Sequence, residues 1–149
     1  GRDGPKLLEF NCRLGDPETQ PLMMRLRSDL YTVLLLAALG ERLPPELEWD
    51  ERSALCVVMA AEGYPEHPRT GDAIAGLGTA ETDTVKVFHA GTKSVDGHVA
   101  TAGGRVLGVT ALGDSLAIAQ HHAYSVVAKI HWSGVQFRRD IGHLGLRRD

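Results

Sequence analysis

The spacing of the apolar residues changes at the polar segment ERLPPELEWDERS, residues 41–53. Before this segment apolar side chains recur at helical spacing, and after it they form short runs broken by glycine and proline, as strands do. The residues that set the helical spacing are Leu22, Met23, Leu26, Leu30, Val33, Leu34 and Ala37. Because this segment is polar and carries two prolines, we predict that it is a linker. We therefore predict an α+β fold built from two parts.

The first part is predicted to hold one strand and one helix. Residues 6–14 alternate polar and apolar side chains, which is typical of a strand. The following helix is predicted to begin at Asp16-Pro17, since aspartate suits the N-cap and proline the first helical position, and to end at Gly40. Asp3-Gly4 favours a hairpin turn just before the strand. We interpret the sequence as cut from a longer chain inside that hairpin.

The second part is predicted to be a small antiparallel sheet with one helix. Strands are expected at residues 54–61, 73–77, 85–92, 98–101 and 105–112, and the last three form a meander punctuated by Asp96-Gly97 and Gly103-Gly104. Asp114 or Ser115 is expected to cap a helix that runs to about Ile130. A short edge strand is expected at residues 135–138.

Composition limits the class of protein. The chain has 149 residues, 43% of them hydrophobic, and a formal charge of −3 with both signs interspersed, so nothing indicates nucleic acid or a membrane surface as partner. The longest apolar run, residues 31–39, is far shorter than the roughly 20 residues of a membrane span. Cys12 and Cys56 lie in apolar runs and are interpreted as reduced core thiols, which favours a cytoplasmic setting.

Three polar side chains of the first predicted strand share one face: Glu9, Asn11 and Arg13. The other face carries an apolar set: Leu8, Phe10, Cys12 and Leu14. Carboxylate and amide oxygens are hard ligands suited to Mg²⁺ or Mn²⁺, arginine can bind a phosphate through two nitrogens, and a helix N-terminus nearby favours anions. This combination suggests phosphoryl chemistry. The alternative is an edge strand whose polar face is merely hydrated.

The stretch PKLLEFNCRLGDPETQ resembles the end of the ATP-grasp domain of the phosphoribosylamine–glycine ligases. The resemblance continues in order through LRSDLY, LCVVMAAEGYP, TGDAI, VFHAGTK, TAGGRVLGVTALG and DIG, and so covers nearly the whole chain. It implies that residues 1–45 are the C-terminal end of an ATP-grasp domain. Residues 46–149 would then be a small α+β domain that packs on the ATP-grasp core.

The resemblance also implies roles for individual residues. The acid and the amide, Glu9 and Asn11, match the positions that bind the Mg²⁺ or Mn²⁺ ions bridging the ATP phosphates. Arg13 matches the catalytic, substrate-facing arginine beside the transferring phosphoryl group. Three residues match the turn that closes the site beside the substrate: Gly15, Asp16 and Glu18. Lys93 and Arg105 are further candidates to face the cleft.

The family reaction, which belongs to purine biosynthesis, joins glycine to 5-phosphoribosylamine at the expense of ATP. Glycine is activated as glycyl phosphate, and the products are glycinamide ribonucleotide, ADP and phosphate. The N-terminal domain and most of the ATP-grasp domain do not occur in the sequence, so the resemblance implies that they are the partners of this chain. We expect the chain alone to be inactive.

Two alternatives remain open at this stage. The chain could be a non-catalytic α+β binding module, or part of another ATP-grasp carboxylate–amine ligase, although GDPETQ and FHAGTK argue against the latter. The seven histidines lack ligand spacing. His89 is interpreted as a hydrogen-bonded structural residue, and the clustered glycines as turn and bulge residues.

Overall fold

The computed structural model of the chain describes residues 4, 6–79 and 81–147. In the described part the elements follow one another as α1 (Thr19–Arg25), α2 (Leu30–Leu39), β1 (Ser53–Ala60), a short 3₁₀ helix (Leu77–Thr79), β2 (Val85–His89), β3 (Thr92–Val95), β4 (His98–Thr101), β5 (Arg105–Gly113) and α3 (Leu116–Val127). The predicted α+β class is confirmed. The predicted Asp3-Gly4 hairpin turn lies partly outside the described residues.

A three-stranded antiparallel sheet in the order β1-β5-β2 forms the centre of the second part. Val109 of β5 lies opposite Val57 of β1 and Val87 of β2, so β5 is the middle strand. β3 and β4 form a separate hairpin, whose turn residues Asp96 and Gly97 both have positive φ. The predicted meander was therefore wrong, because the chain leaves the sheet after β2, makes the hairpin, and returns as β5.

One face of the sheet packs against α3. The buried residues of α3 are Ala119, Ala123, Val126 and Val127. Two of these are alanines, and β5 ends in Gly113, where any side chain would overlap the backbone of Ala119. Helix and strand therefore approach closely. Ser115 caps the N-terminus of this helix, since its hydroxyl accepts a hydrogen bond of 3.3 Å from the backbone N–H of Ile118. Ser115 is one of the two residues predicted for this cap.

The opposite face of the sheet is covered by α1. A Cβ atom on Gly108 of β5 would lie 3.6 Å from the Gln20 amide nitrogen and 3.3 Å from the Cys56 sulfur.

Burial raises the pKa of the Cys56 thiol, which fits an inert core cysteine. Cys12, in contrast, is exposed, so its interpretation as a core thiol was wrong.

The predicted strand over residues 6–14 does not form. In the described part of the chain no strand pairs with it, and its apolar side chains Leu8, Phe10 and Leu14 are 93%, 79% and 63% exposed. A strand persists only when a neighbour satisfies its backbone groups and covers its apolar face. The described residues supply neither.

The predicted long helix is two helices. α1 begins at Thr19 with Glu18 in the N-cap position, so Asp16 is not the cap. Leu26 leaves the helix in an extended conformation and forms a bridge with Trp49. Asp29 then caps α2 by accepting hydrogen bonds from two backbone N–H groups. Gly40, with φ of 69°, ends α2 as predicted.

The second half of the predicted linker is fastened to the first part of the chain. The Arg27 N–H donates to the Glu48 carbonyl at 2.9 Å, and the Asp50 N–H donates to the Arg25 carbonyl at 2.7 Å. The buried Asp50 carboxylate accepts from Arg52 and pairs with Arg27, and these bonds hold its pKa far below the usual range. These contacts cross the predicted boundary between residues 45 and 46, which stays a prediction.

Three further strand predictions were wrong in extent. Residues 73–77 make only isolated bridges, from Ala73 to Ala100 and from Ala75 to His131, and residues 135–138 make one, from Gln136 to Ala60. Residues 85–92 divide into β2 and the start of β3.

No helix in the described ranges is long and apolar enough to cross a membrane.

Candidate functional site

All six predicted site residues line one open cleft. Its volume is about 450 Å³, and a seventh residue, Arg105 of β5, completes the lining. We call this the Glu9 cleft. Its members are Glu9, Asn11, Arg13, Gly15, Asp16, Glu18 and Arg105. Lys93, the other candidate considered from the sequence, is not among them.

Glu9, Asn11 and Arg13, which we call the polar row, all line this cleft, although no sheet in the described part of the chain supports them. The Asn11 amide nitrogen Nδ2 donates a hydrogen bond of 3.2 Å to the Glu9 oxygen Oε1. Arg13 Nη1 donates to the carbonyl of its neighbour Leu14 at 3.1 Å. All three side chains of the row are exposed, so they retain access to water and to ligands.

The turn after the row is compact because Gly15 has no side chain. A Cβ atom at this position would overlap the Glu18 carboxylate, which folds back over the glycine. The Thr19 N–H donates to the Gly15 carbonyl at 3.1 Å and so joins the turn to α1. The Asp16 oxygen Oδ1 accepts a bond of 2.8 Å from the Gln20 side chain.

Arg105 connects this turn to the sheet. Its Nη1 donates to the Asp16 carbonyl oxygen and to Asp16 Oδ2, the latter at 3.2 Å, while its Nε donates to the Tyr64 hydroxyl at 2.9 Å. The hydrogen bond to Tyr64 is the main cause that raises the pKa of Arg105. Gly104 makes room for Tyr64, since any side chain there would overlap the tyrosine ring.

A second cleft is also lined by the Asp16–Arg105 pair. It is mainly apolar, has a volume of about 440 Å³, and shares Asp16 and Arg105 with the Glu9 cleft. Its remaining lining residues are Pro17, Val58, Ala60, Tyr64, Gln136, Phe137 and Arg138. The ion pair therefore borders both a charged and an apolar cleft.

The donor set of the Glu9 cleft fits a hard divalent cation. Within the described ranges no group of three or more histidine, cysteine, aspartate or glutamate side chains could hold a metal ion. Glu9 and Asn11 offer a carboxylate and an amide oxygen, and such a pair suits Mg²⁺, which takes few protein ligands and completes its shell with water and phosphate oxygens. In the structure it is the amide nitrogen of Asn11 that faces Glu9. A half-turn of the amide group, which exchanges its nitrogen and oxygen, brings the oxygen to the side of Glu9.

Comparison with known proteins gives one consistent result. Residues 54–144 match the family described as phosphoribosylglycinamide synthetase, C domain. The phosphoribosylamine–glycine ligase of Allochromatium vinosum is 56% identical over 151 residues, covering 100% of this chain and 35% of the relative. That of Ralstonia nicotianae is 53% identical over 144 residues, covering 97% and 34%.

The fold of this chain resembles part of a solved structure. The crystal structure of phosphoribosylamine–glycine ligase from Thermotoga maritima superposes with a TM-score of 0.76 at 34% identity, covering 91% of this chain and 33% of that one. The chain thus spans about a third of the length of the relatives it matches. The row and the turn precede the family match, and the alignment with the Allochromatium relative includes them.

Proposed function

Because this chain belongs to the phosphoribosylglycinamide synthetase family, we propose that it is the C-terminal part of an ATP-dependent ligase that joins glycine to 5-phosphoribosylamine. The observation that carries the proposal is the Glu9 cleft, in which three carboxylates, an amide and two arginines converge. With a divalent cation held by its carboxylate and amide oxygens, such a cleft could neutralise the charge of phosphates and carboxylates, which is the main task in phosphoryl transfer.

Each residue of the row then has a distinct task. Glu9 and Asn11 would hold Mg²⁺ or Mn²⁺, which when bound neutralises the oxygens of the ATP phosphates. Arg13 would bind the carboxylate of glycine and the phosphoryl group being transferred to it, because guanidinium binds both through two nitrogens. Gly15, Asp16 and Glu18 form the wall beside the substrate.

The reaction proceeds in two balanced steps. A carboxylate oxygen of glycine attacks the γ-phosphorus of ATP, ADP leaves, and glycyl phosphate forms. The amine of 5-phosphoribosylamine attacks the acyl carbon, loses a proton, and expels phosphate to give glycinamide ribonucleotide. Neither step needs a covalent bond to the protein, so positioning and charge neutralisation supply the catalysis.

We propose that the exposed apolar surface of the first part packs on the preceding portions of the same enzyme. α2 is apolar on all sides and has no buried residue, and exposed large side chains include Tyr31, Leu34 and Leu39. Contiguous apolar patches of this kind mark interaction surfaces. On this proposal residues 1–45 complete an ATP-grasp domain, and residues 46–149 form the C-terminal domain.

We place this enzyme in the cytoplasm. Both cysteines are free, one exposed and one buried, as is usual for proteins of reducing compartments.

The test is a product assay on the full-length enzyme that contains this chain. We expect glycinamide ribonucleotide, ADP and phosphate to appear in equal amounts, and only when glycine, 5-phosphoribosylamine, ATP and Mg²⁺ are all present. ADP release that does not require glycine, or no product with any combination, would contradict the proposal.

A further inference from the structure

We propose that Arg105 is a positioning residue that fixes the turn of residues 15–18 in the Glu9 cleft, and that Tyr64 holds Arg105 in place. The effect on catalysis rests on the function proposed above, whereas the structural effect does not. Arg105 and Asp16 are 89 residues apart in sequence, so this contact joins the two predicted parts of the chain.

Arg105 holds both the backbone and the side chain of Asp16. One of its nitrogens, Nη1, donates to the Asp16 carbonyl oxygen and to the carboxylate oxygen Oδ2. The other carboxylate oxygen, Oδ1, accepts from Gln20 of α1. Asp16 is thus bound to the sheet through Arg105 and to α1 through Gln20, and the position of the turn is fixed from two directions.

Tyr64 restricts the side chain that makes this contact. Its hydroxyl accepts the hydrogen bond from Arg105 Nε, and its backbone N–H donates to the Ala61 carbonyl at 3.2 Å just beyond β1. The ring fits over Gly104, the residue before Arg105. A guanidinium held at Nε keeps its Nη1 directed at the turn, which a flexible lysine could not reproduce.

Solvent exposure limits the strength of the ion pair, which makes geometry the more important contribution. The side chains of Arg105 and Asp16 are 41% and 44% exposed, and exposed pairs contribute little through charge alone. The bond to the backbone carbonyl is independent of the carboxylate and constrains the chain directly. Displacing a site by about 1 Å can cost roughly 100-fold in rate.

The experiment compares hydrogen exchange at the Thr19 amide in three variants of the full-length enzyme. This amide donates to the Gly15 carbonyl and so reports whether the turn is closed. We expect Arg105→Met to speed its exchange by about tenfold, because this variant loses the bonds to Asp16 themselves. We expect Tyr64→Phe to speed it by a smaller factor of about three, because it loses only the bond that orients Arg105.

Arg69→Met is the matched control, because Arg69 is 43% exposed, is ion-paired with Asp72, and lines neither cleft. We expect it to leave the exchange of Thr19 unchanged. Unchanged exchange in Arg105→Met, or an equal effect in Arg69→Met, would overturn the proposal. A loss of activity with unchanged exchange would indicate direct substrate contact by Arg105 and would also overturn it.

Turnover supplies the second readout. We expect Arg105→Met to lower kcat by roughly 100-fold and Tyr64→Phe to lower it by about fivefold. KM for ATP should change less than threefold in both variants, because a misplaced turn disturbs the alignment of the reacting groups more than the binding of ATP. A change in KM for ATP alone would contradict this. An inactive wild-type enzyme would refute the proposed function, while the exchange data would still decide the role of Arg105.

Discussion

Glu9→Gln in the full-length enzyme is expected to lower kcat/KM for ATP by roughly 100-fold at limiting Mg²⁺. The substitution keeps the shape of the side chain and removes the negative charge that a hard cation prefers. Glu9 is exposed and lines the cleft, so the fold should be unaffected. The measurement is initial velocity against Mg²⁺ concentration, together with the melting temperature.

Glu66→Gln provides the control for this prediction. Glu66 is an exposed glutamate outside the Glu9 cleft, and its replacement should change neither the Mg²⁺ dependence nor the turnover. The assignment of Glu9 fails if Glu9→Gln shows wild-type turnover at limiting Mg²⁺. It also fails if its loss of activity accompanies an equal loss of folded protein.

Met59→Ala is expected to destabilise the chain by about 3 kcal/mol. Met59 lies in β1 opposite Leu107 of β5, is fully buried, and is among the largest side chains with no exposed surface. Removing its outer atoms forfeits their transfer free energy and leaves a cavity between the sheet and α3. Urea unfolding of the chain would show the loss as a lower midpoint at an unchanged slope.

The matched control replaces an exposed apolar residue by alanine. Leu144 is 65% exposed, so Leu144→Ala should change the unfolding free energy by less than about 0.5 kcal/mol. A loss below about 1 kcal/mol in Met59→Ala would mean that the sheet and α3 do not form the core described above.

Elements with local signals could be predicted from the sequence. β4 has the predicted bounds, β5 is one residue longer than predicted, and β1 is shifted by one residue toward the N-terminus. Ser115 begins α3 and Gly40 ends α2 through short-range capping chemistry, which depends only on neighbouring residues.

Features that depend on distant contacts could not be predicted in this way. The helix divides because Leu26 pairs with Trp49 and Asp29 caps a second helix, and the periodic pattern runs through the break. Residues 6–14 carry a strand pattern, yet a strand also needs a partner. The order of the sheet depends on which strands meet, and apolar alternation does not determine that.

The same difference between local signals and distant contacts applies to the candidate site. The residues from Glu9 to Glu18 were found because they are close in sequence and resemble a known motif, and the structure brings them to one cleft. Tyr64 was missed and Arg105 was only one of two possibilities. The Gly103-Gly104 pair before Arg105 was the available signal, since it shows that another group approaches the backbone closely there.

On the proposed function, this chain carries one part of an active site whose other part lies in the rest of the enzyme. The most direct measurement mixes the chain with the separately produced remainder of the enzyme and follows glycinamide ribonucleotide formation. We predict no product from either piece alone and product from the mixture, abolished by Glu9→Gln in this chain. Product from this chain alone, or full activity from the remainder without it, would contradict the account.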